Sequence, residues 1–239
     1  MKDEEIKAAA VEFAKKNKMR VAREFADPLI YAPDVNPVSL FMAGSPGAGK
    51  TEYSKSLIKL LAEDEKERRV VVRIDGDEIR PLIPGYNGNN SHLFQGAVSL
   101  IVEKIHDLVL HNKQNFILDG TFSKYEKAQD NIVRSLEKGR KVFIFYIYQK
   151  PDVAWKLTQA RELIEGRNIP KSAFIEEFLG SRETIKKIYR EFTNKVTIFL
   201  VEKDFEKSTE NINRIDSNKG DIDSQLGKYY TKEEIEKLI

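Results

Sequence analysis

The sequence contains no cysteine, and only three of its 239 residues are histidine. The absence of cysteine excludes disulfides, thiolate zinc sites and cysteine nucleophiles. His92, His106 and His111 are not grouped with carboxylates as the ligands of a metal ion would be, so we interpret all three as structural or surface residues. Any catalysis must therefore use carboxylates, lysine and arginine.

An excess of one charge sign is also missing. Forty Lys and Arg residues stand against 38 Asp and Glu residues, a formal net charge of +2. This balance gives no global electrostatic reason to expect nucleic acid or an anionic membrane surface as a partner. No apolar stretch is long enough to span a membrane, and residues 1–7 lack the apolar core of a secretory signal. We therefore expect a cytoplasmic protein.

One motif dominates what is present. After the apolar run of residues 38–43, eight residues read G-x-x-x-x-G-K-T, and a helical pattern follows them. In this motif, backbone N–H groups surround phosphates, the lysine reaches the β- and γ-phosphates, and the threonine hydroxyl ligates Mg²⁺. The alternative is a glycine-rich turn without a ligand. The predicted phosphate-binding residues are Gly44, Ser45, Pro46, Gly47, Ala48, Gly49, Lys50 and Thr51.

Strand-like and helix-like segments alternate along the chain. Five short apolar runs, which include the continuous run of residues 142–148, are separated by segments with helical periodicity. This alternation predicts a three-layer α/β domain with a parallel sheet, of the P-loop NTPase class. We divide the chain into a helical N-terminal extension (1–36) of one or two helices, a core (37–203), and a polar C-terminal extension (204–239) with a short helix after Thr231.

Three aspartates follow predicted strands. Asp75 and Asp77 end the second strand, and Asp119 ends the third. Because strand ends at this edge of a parallel sheet face the ligand crevice, Asp77 is our candidate for the base that accepts a proton from a substrate hydroxyl. Asp119 is the candidate that, with Thr51, binds Mg²⁺. The alternatives are that Asp77 caps a helix and that Asp119 belongs to a turn with Gly120.

Arg161 and Arg167 lie on either side of a glycine. Six residues correspond to about 600° of helical rotation, so the two arginines would diverge on a regular helix. If Gly166 ends the helix, they converge on a γ-phosphate as part of a lid. On residue type alone, surface pairing with Glu162 or Glu165 is the favoured interpretation.

The combined pattern resembles the zeta-toxin family of small-molecule kinases over about residues 38–201. The resemblance rests on the P-loop, on Asp119-Gly-Thr, on Arg161 and Arg167 before Pro170, and on D-x-D-E-I-R-x-x-x-P-x-Y. This last motif comprises Asp75, Asp77, Glu78, Ile79, Arg80, Pro84 and Tyr86. Members of the family often have Glu-Gly-Thr where this chain has Asp119-Gly-Thr, one methylene shorter.

The resemblance implies a nucleotide-kinase-like fold and ATP- and Mg²⁺-dependent phosphorylation of a sugar hydroxyl, in studied members that of UDP-N-acetylglucosamine. It implies that Lys50 holds phosphates, that Asp77 is the base, and that Arg161 and Arg167 stabilise the transferring phosphoryl group. It also implies that an antitoxin blocks the nucleotide site, a role for which the leading helices are a candidate. We predict four acceptor-binding residues: Arg80, Tyr86, Asp119 and Thr121.

Two other functions remain open. A nucleic-acid or nucleoside 5′-hydroxyl kinase would use the same P-loop and strand-two aspartate, and its polymeric substrate would demand a basic groove. A switch or interaction module would bind a nucleotide and hydrolyse it slowly without any acceptor. The sequence lacks the N-K-x-D guanine signature, which favours ATP over GTP as the nucleotide.

Overall fold

The computed structural model describes residues 2–63, 70–166, 168–204, 209–216 and 220–239. The strands of its sheet are β1 (Val38–Ala43), β2 (Val71–Asp75), β3 (Asn115–Asp119), β4 (Lys141–Tyr148), β5 (Val196–Asp204) and β6 (Thr209–Arg214). They lie in the order β2-β3-β1-β4-β5-β6. The first five strands pair in parallel, and β6 pairs antiparallel with β5. The predicted parallel α/β architecture is thus confirmed.

Helices cover both faces of this sheet. They are α1 (Asp3–Phe25), α2 (Lys50–Glu63), α3 (Gly76–Ile79), α4 (Gln95–His111), α5 (Tyr125–Glu137), α6 (Pro151–Glu165), α7 (Lys171–Glu191), α8 (Ile222–Gln225) and α9 (Lys232–Leu238). Two single 3₁₀ turns, Arg80–Leu82 and Ser91–Phe94, lie between α3 and α4. In the part of the chain that the structure describes, no helix has the length and apolar character needed to cross a membrane.

Alternation along β1 shows how the two apolar layers form. Leu40 and Met42 face one layer, which includes α2, whereas Phe41 and Ala43 face the other, which includes α4 and α7. All four side chains are buried. Burying a large apolar side chain stabilises a fold by about 1.5–3 kcal/mol. Because a slip of one residue would move each side chain of β1 to the opposite face, this burial fixes the register of β1 with its neighbours.

The N-terminal extension is one helix rather than two. Asn17, near the possible break in the sequence pattern, donates its side-chain N–H to the carbonyl of Phe13 at 2.9 Å within the continuous α1. Small side chains on one face of α1, among them Ala10 and Ala14, are fully buried, and the helix packs mainly against α4. Close packing of two helices through small residues holds α1 to the core.

Three local sequence patterns predict the structure wrongly or incompletely. The spacing of Ser123 and Glu126 is typical of a capping box, which does not form, because α5 begins after Lys124 and no side chain caps it. The turn-rich composition of residues 81–91 predicts no regular structure, but the segment begins and ends in the two 3₁₀ turns. Residues 209–214, expected to be a polar extension, form β6. The spacing of Thr231 and Glu234 also predicts a capping box, and this one forms.

His106 of α4 is buried in the core and should make stability depend on pH. Its ring packs edge-on against Phe41 and Phe116, and its Nδ1 lies 3.4 Å from Arg134 Nη1. Burial, together with the positive charge of Arg134, lowers the pKa of His106 from 6.5 to about 3. Because the unfolded chain binds this proton first, stability is complete above about pH 6.5 and falls by up to about 1.4 kcal/mol per pH unit below it.

We expect His106→Phe to remove this contribution between roughly pH 6.5 and 5. The measurement is the free energy of unfolding in urea, as a function of pH, for the parent and the variant. The matched control is His111→Gln, at the exposed end of the same helix, which should keep the parental pH dependence. An unchanged slope in His106→Phe would contradict the assignment.

Candidate active site

The P-loop connects β1 to α2 and lies directly against β4. Gly44 has a φ of +134°, and a Cβ added there would come within 2.3 Å of the carbonyl oxygen of Ile147. Only glycine therefore permits this close approach of two backbones. Lys50, the first residue of α2, donates its ammonium to the carbonyls of Gly44 and Ser45 at 3.0 and 2.7 Å. The motif thus adopts the strand-loop-helix geometry that its sequence predicts.

A cleft of about 670 Å³ opens at the carboxyl ends of β1, β2 and β3. Residues that are far apart in the sequence line it together. The predicted site residues that line it are Pro46, Gly47, Gly49, Lys50, Thr51, Asp77, Arg80, Asp119, Thr121 and Arg161. None of the described residues 2–36 is among the lining residues, so α1 does not cover the site in this conformation.

Asp75 and Asp77 have different roles in the short helix α3. Asp75 is the N-cap, and its Oδ1 accepts the backbone N–H of Asp77 at 2.8 Å. Asp77 is ion-paired with Arg80, and its Oδ2 lies 4.0 Å from Arg161 Nη2. Burial raises the pKa of Asp75, and the nearby charges of Asp77 and Asp119 add to that effect. The capping role considered for Asp77 therefore belongs to Asp75, and Asp77 faces the cleft.

Arg73, inside β2, organises the acidic end of the sheet and was missed by the sequence reasoning. Its guanidinium is ion-paired with Asp75, with Glu78 and, at 2.6 Å, with Asp119. Its Nε donates to Ser54 Oγ at 3.1 Å. Burial alone would lower the pKa of Arg73, but these three carboxylates raise it above its usual value. One cation thus joins β2, β3, α2 and α3.

The structure describes one part of the predicted lid, the end of α6 with Arg161 and Gly166. Helix α6 ends at Glu165, and Gly166 follows in the left-handed conformation with a φ of +70°, as expected for a glycine that ends a helix. Arg161, on the last turns of α6, reaches the cleft beside Asp77. Arg167 lies outside the described residues, so its convergence with Arg161 stays a prediction.

The predicted acceptor-binding residues differ in position. Thr121 lies in the cleft, and its carbonyl accepts both the N–H of Gly44 at 3.1 Å and the hydroxyl of Ser181 at 2.7 Å. Asp119 Oδ2 accepts the hydroxyl of Ser54 at 2.9 Å in addition to Arg73. Tyr86, in contrast, packs edge-on against Phe94 and is not among the lining residues, so a role for it in acceptor binding stays a prediction.

Helices α4 and α5 also line the cleft. Each helix presents four residues at positions i, i+3, i+4 and i+7, which is one helical face. We call this surface the α4–α5 trough; it comprises Gln95, Val98, Ser99, Val102, Lys124, Lys127, Ala128 and Asn131. The sequence predicts the two helices but not that these faces meet. His92, which we interpreted as a structural or surface residue, also lines the cleft.

The fold and the site together define a P-loop α/β domain. A model of the zeta toxin family matches residues 22–219. This protein belongs to the zeta toxin family. No curated protein sequence matches the chain.

Two groups of solved structures share the fold. A structure from the PezAT chromosomal toxin-antitoxin system of Streptococcus pneumoniae aligns at a TM-score of 0.68 and 17% identity, over 95% of this chain and 92% of that one. A complex of AvrRxo1-ORF1 with ORF2, described with ATP, aligns at a TM-score of 0.57 and 13% identity, over 87% of this chain and 65% of that one. At these identities the likeness shows the fold.

Proposed function

We propose that this protein is an ATP- and Mg²⁺-dependent phosphotransferase that phosphorylates a hydroxyl of a nucleotide sugar of the UDP-N-acetylglucosamine type. The observation that carries the proposal is the presence of Asp77 and Arg161 in the same cleft as Lys50 and Thr51. A carboxylate opposite a phosphate-binding loop serves a hydroxyl acceptor, and the arginine supplies positive charge for the transferring group.

The residues take complementary parts in the transfer. Asp77 accepts the proton of the acceptor hydroxyl while that oxygen forms its bond to the γ-phosphorus. The bond between the γ-phosphorus and its bridging oxygen breaks, and ADP leaves. Lys50 and Arg161 neutralise the charge on the phosphoryl oxygens, and we assign Arg167 to the same task. Arg80, ion-paired with Asp77 and bonded to Gln95 at 3.0 Å, holds the base in place.

The Thr51 hydroxyl, at the N-terminus of α2, and the Asp119 carboxylate are suitable ligands for Mg²⁺. The described residues contain no cluster of three or more histidine or acidic side chains that would hold a metal ion by themselves. Thr51 and Asp119 nevertheless line one cleft, and the Ser54 hydroxyl lies within hydrogen-bond distance of both the Thr51 carbonyl and the Asp119 carboxylate. Hydroxyl and carboxylate oxygens are what this cation prefers. Thr51 and Asp119 would hold Mg²⁺ there, and the ion would supply positive charge that neutralises the phosphate oxygens of ATP.

Family membership also supports a biological setting. We propose that the protein is the toxin of a toxin-antitoxin pair and that the partner protein restrains it by covering the nucleotide cleft. The PezAT system, whose structure shares this fold, is described as a chromosomal toxin-antitoxin system. Because α1 lies against α4, a separate chain rather than α1 is the inhibitor that we expect.

Incubation of the purified protein with γ-labelled ATP, Mg²⁺ and a panel of nucleotide sugars tests the proposal. We expect label to enter a nucleotide sugar, with the product identified by mass, and we expect Lys50→Met to abolish the transfer. An oligonucleotide and a nucleoside in the same panel test the 5′-hydroxyl alternative. ATP hydrolysis without labelling of any acceptor would instead favour the switch module.

A further inference from the structure

Strand β6 pairs on one side only, among the strands that the structure describes. It is the last strand of the sheet and runs antiparallel to β5. Continuing the same register, the N–H of Ile215 donates to the carbonyl of Ile198 at 2.9 Å. Because the backbone groups of an antiparallel strand alternate between its two sides, residues 211 and 213 also face β5. Residues 210, 212 and 214 therefore direct their N–H and C=O groups away from the sheet.

The side chain in the middle of this outward edge is apolar. Ile212 is 54% exposed, and its partner in β5 is Val201, which is fully buried. Directly paired residues of two strands lie on the same face, so Ile212 continues the apolar layer of Val201 to the border of the sheet. An edge strand is a template for pairing with another strand, and burial of Ile212 would add to the stability of such a pair.

The sequence of β6 is complementary to itself. When two copies of the strand meet antiparallel about a two-fold axis, one register sets Ile212 opposite Ile212 of the second copy. The same register sets position 210, a glutamate, opposite position 214, an arginine, on both sides of the axis. Opposite charges placed directly across a strand pair stabilise it. A shift by two residues in either direction would instead place Ile212 opposite one of the charged positions.

This register also uses all of the outward backbone groups of β6. Positions 210, 212 and 214 pair only with one another in it, and all three direct their N–H and C=O groups outward. Each pair of this kind exchanges two backbone hydrogen bonds. The backbone, the apolar side chain and the two charges thus favour the same partner, which is a second copy of this chain.

We propose that β6 is the contact surface of a symmetric dimer in which the two copies of the sheet join edge to edge. Residues 209–216 are not among those that line the nucleotide cleft, so the contact is separate from the proposed kinase site. A contact through one short strand is small, and we expect a dissociation constant on the order of micromolar. The dimer does not depend on the proposed function, because no step of the phosphoryl transfer enters the argument.

Reversal of the two charges tests the proposal. Sedimentation velocity of the parent over about a hundredfold range of concentration should show a monomer–dimer equilibrium. Glu210→Lys and Arg214→Glu each place like charges opposite one another, so each variant alone should have a dissociation constant at least about tenfold higher. An equimolar mixture of the two variants restores opposite charges and should dimerise as the parent does. Lys138→Glu, a charge reversal at an exposed position after α5, is the matched control and should keep the parental equilibrium.

The register can be tested separately because the chain contains no cysteine. In a hydrogen-bonded antiparallel pair, the two Cα atoms lie about 5.5 Å apart, which a disulfide can span. Ile212→Cys should therefore form a covalent dimer under mild oxidation. Asn213→Cys, also exposed, is the matched control. Its two copies lie diagonally across the strand pair, about 7–8 Å apart, and should not cross-link.

A proline distinguishes the outward edge of β6 from its pairing with β5. Because the N–H of residue 212 faces outward, Ile212→Pro removes a hydrogen bond of the dimer and none to β5. We expect the dissociation constant to rise at least about tenfold, with the circular dichroism spectrum of the parent. The proposal is overturned if the parent stays monomeric up to about 1 mM, if the mixed charge variants do not dimerise, or if Asn213→Cys cross-links as readily as Ile212→Cys. A dimer that none of these substitutions changes would lie on another surface and would also overturn it.

Discussion

Asp77→Asn will lower the rate of phosphoryl transfer by about 10²–10⁴-fold and leave ATP affinity unchanged. Asparagine keeps the shape of the side chain and one oxygen, but it does not accept the proton of the acceptor hydroxyl at neutral pH. The P-loop lies on a different strand and is not altered by the substitution. Initial rates with labelled ATP, beside ATP binding measured by calorimetry, separate the two effects.

The variant also weakens the ion pairs of Asp77 with Arg80 and Arg161, so folding must be measured in parallel. Asp130→Asn, the same chemical change on the half-exposed surface of α5, is the matched control and should keep the parental rate. Parental transfer rates in Asp77→Asn would show that another group accepts the proton. Loss of ATP binding together with transfer would point to damage to the cleft rather than to loss of the base.

Arg73→Met should cause the largest loss of stability, about 3–5 kcal/mol. Methionine fills much of the volume but leaves Asp75, Asp119 and Glu78 close together without the cation that neutralises them. Breaking one side of a buried ion network leaves uncompensated charge, which is why the loss exceeds that of a surface pair. We expect the melting temperature to fall by roughly 10 °C.

A second substitution provides an internal check on this explanation. The stability of Arg73→Lys should lie between those of the parent and Arg73→Met, because an ammonium keeps the charge but not the several directed N–H groups. Unfolding of Arg73→Met at the parental urea concentration would contradict a stabilising role for the network.

The sequence was sufficient to predict the sheet where a strand is buried on both faces. The continuous apolar run of β4 and the P-loop context of β1 are strong local signals. Strand β6 gave no such signal, because its residues are largely polar and its place depends on pairing with β5, a contact between segments. Ser123 illustrates the same limit: its spacing to Glu126 fits a capping box, but its hydroxyl lies 3.0 Å from that of Thr121 instead.

The candidate site was predictable to the extent that single motifs define it. The P-loop and the strand-end aspartates followed from residue type and spacing. Arg73 did not, because an arginine within a β-branched run looks like a solvent-facing residue until the register of β2 with β3 sets Asp75 opposite Asp119. Asn131 was invisible for a similar reason, since an asparagine in an amphipathic helix gives no sign that its amide oxygen will be buried in a cleft.

The carbonyl of Thr121 couples the P-loop to α7. This one oxygen accepts hydrogen bonds from the first residue of the P-loop and from Ser181 of α7. A shift of α7 therefore acts on the loop through this shared acceptor, and a change in the loop acts back on the helix. Thermodynamic linkage requires the two effects to be equal in free energy, so whatever α7 does to nucleotide affinity, nucleotide does to the equilibrium of α7.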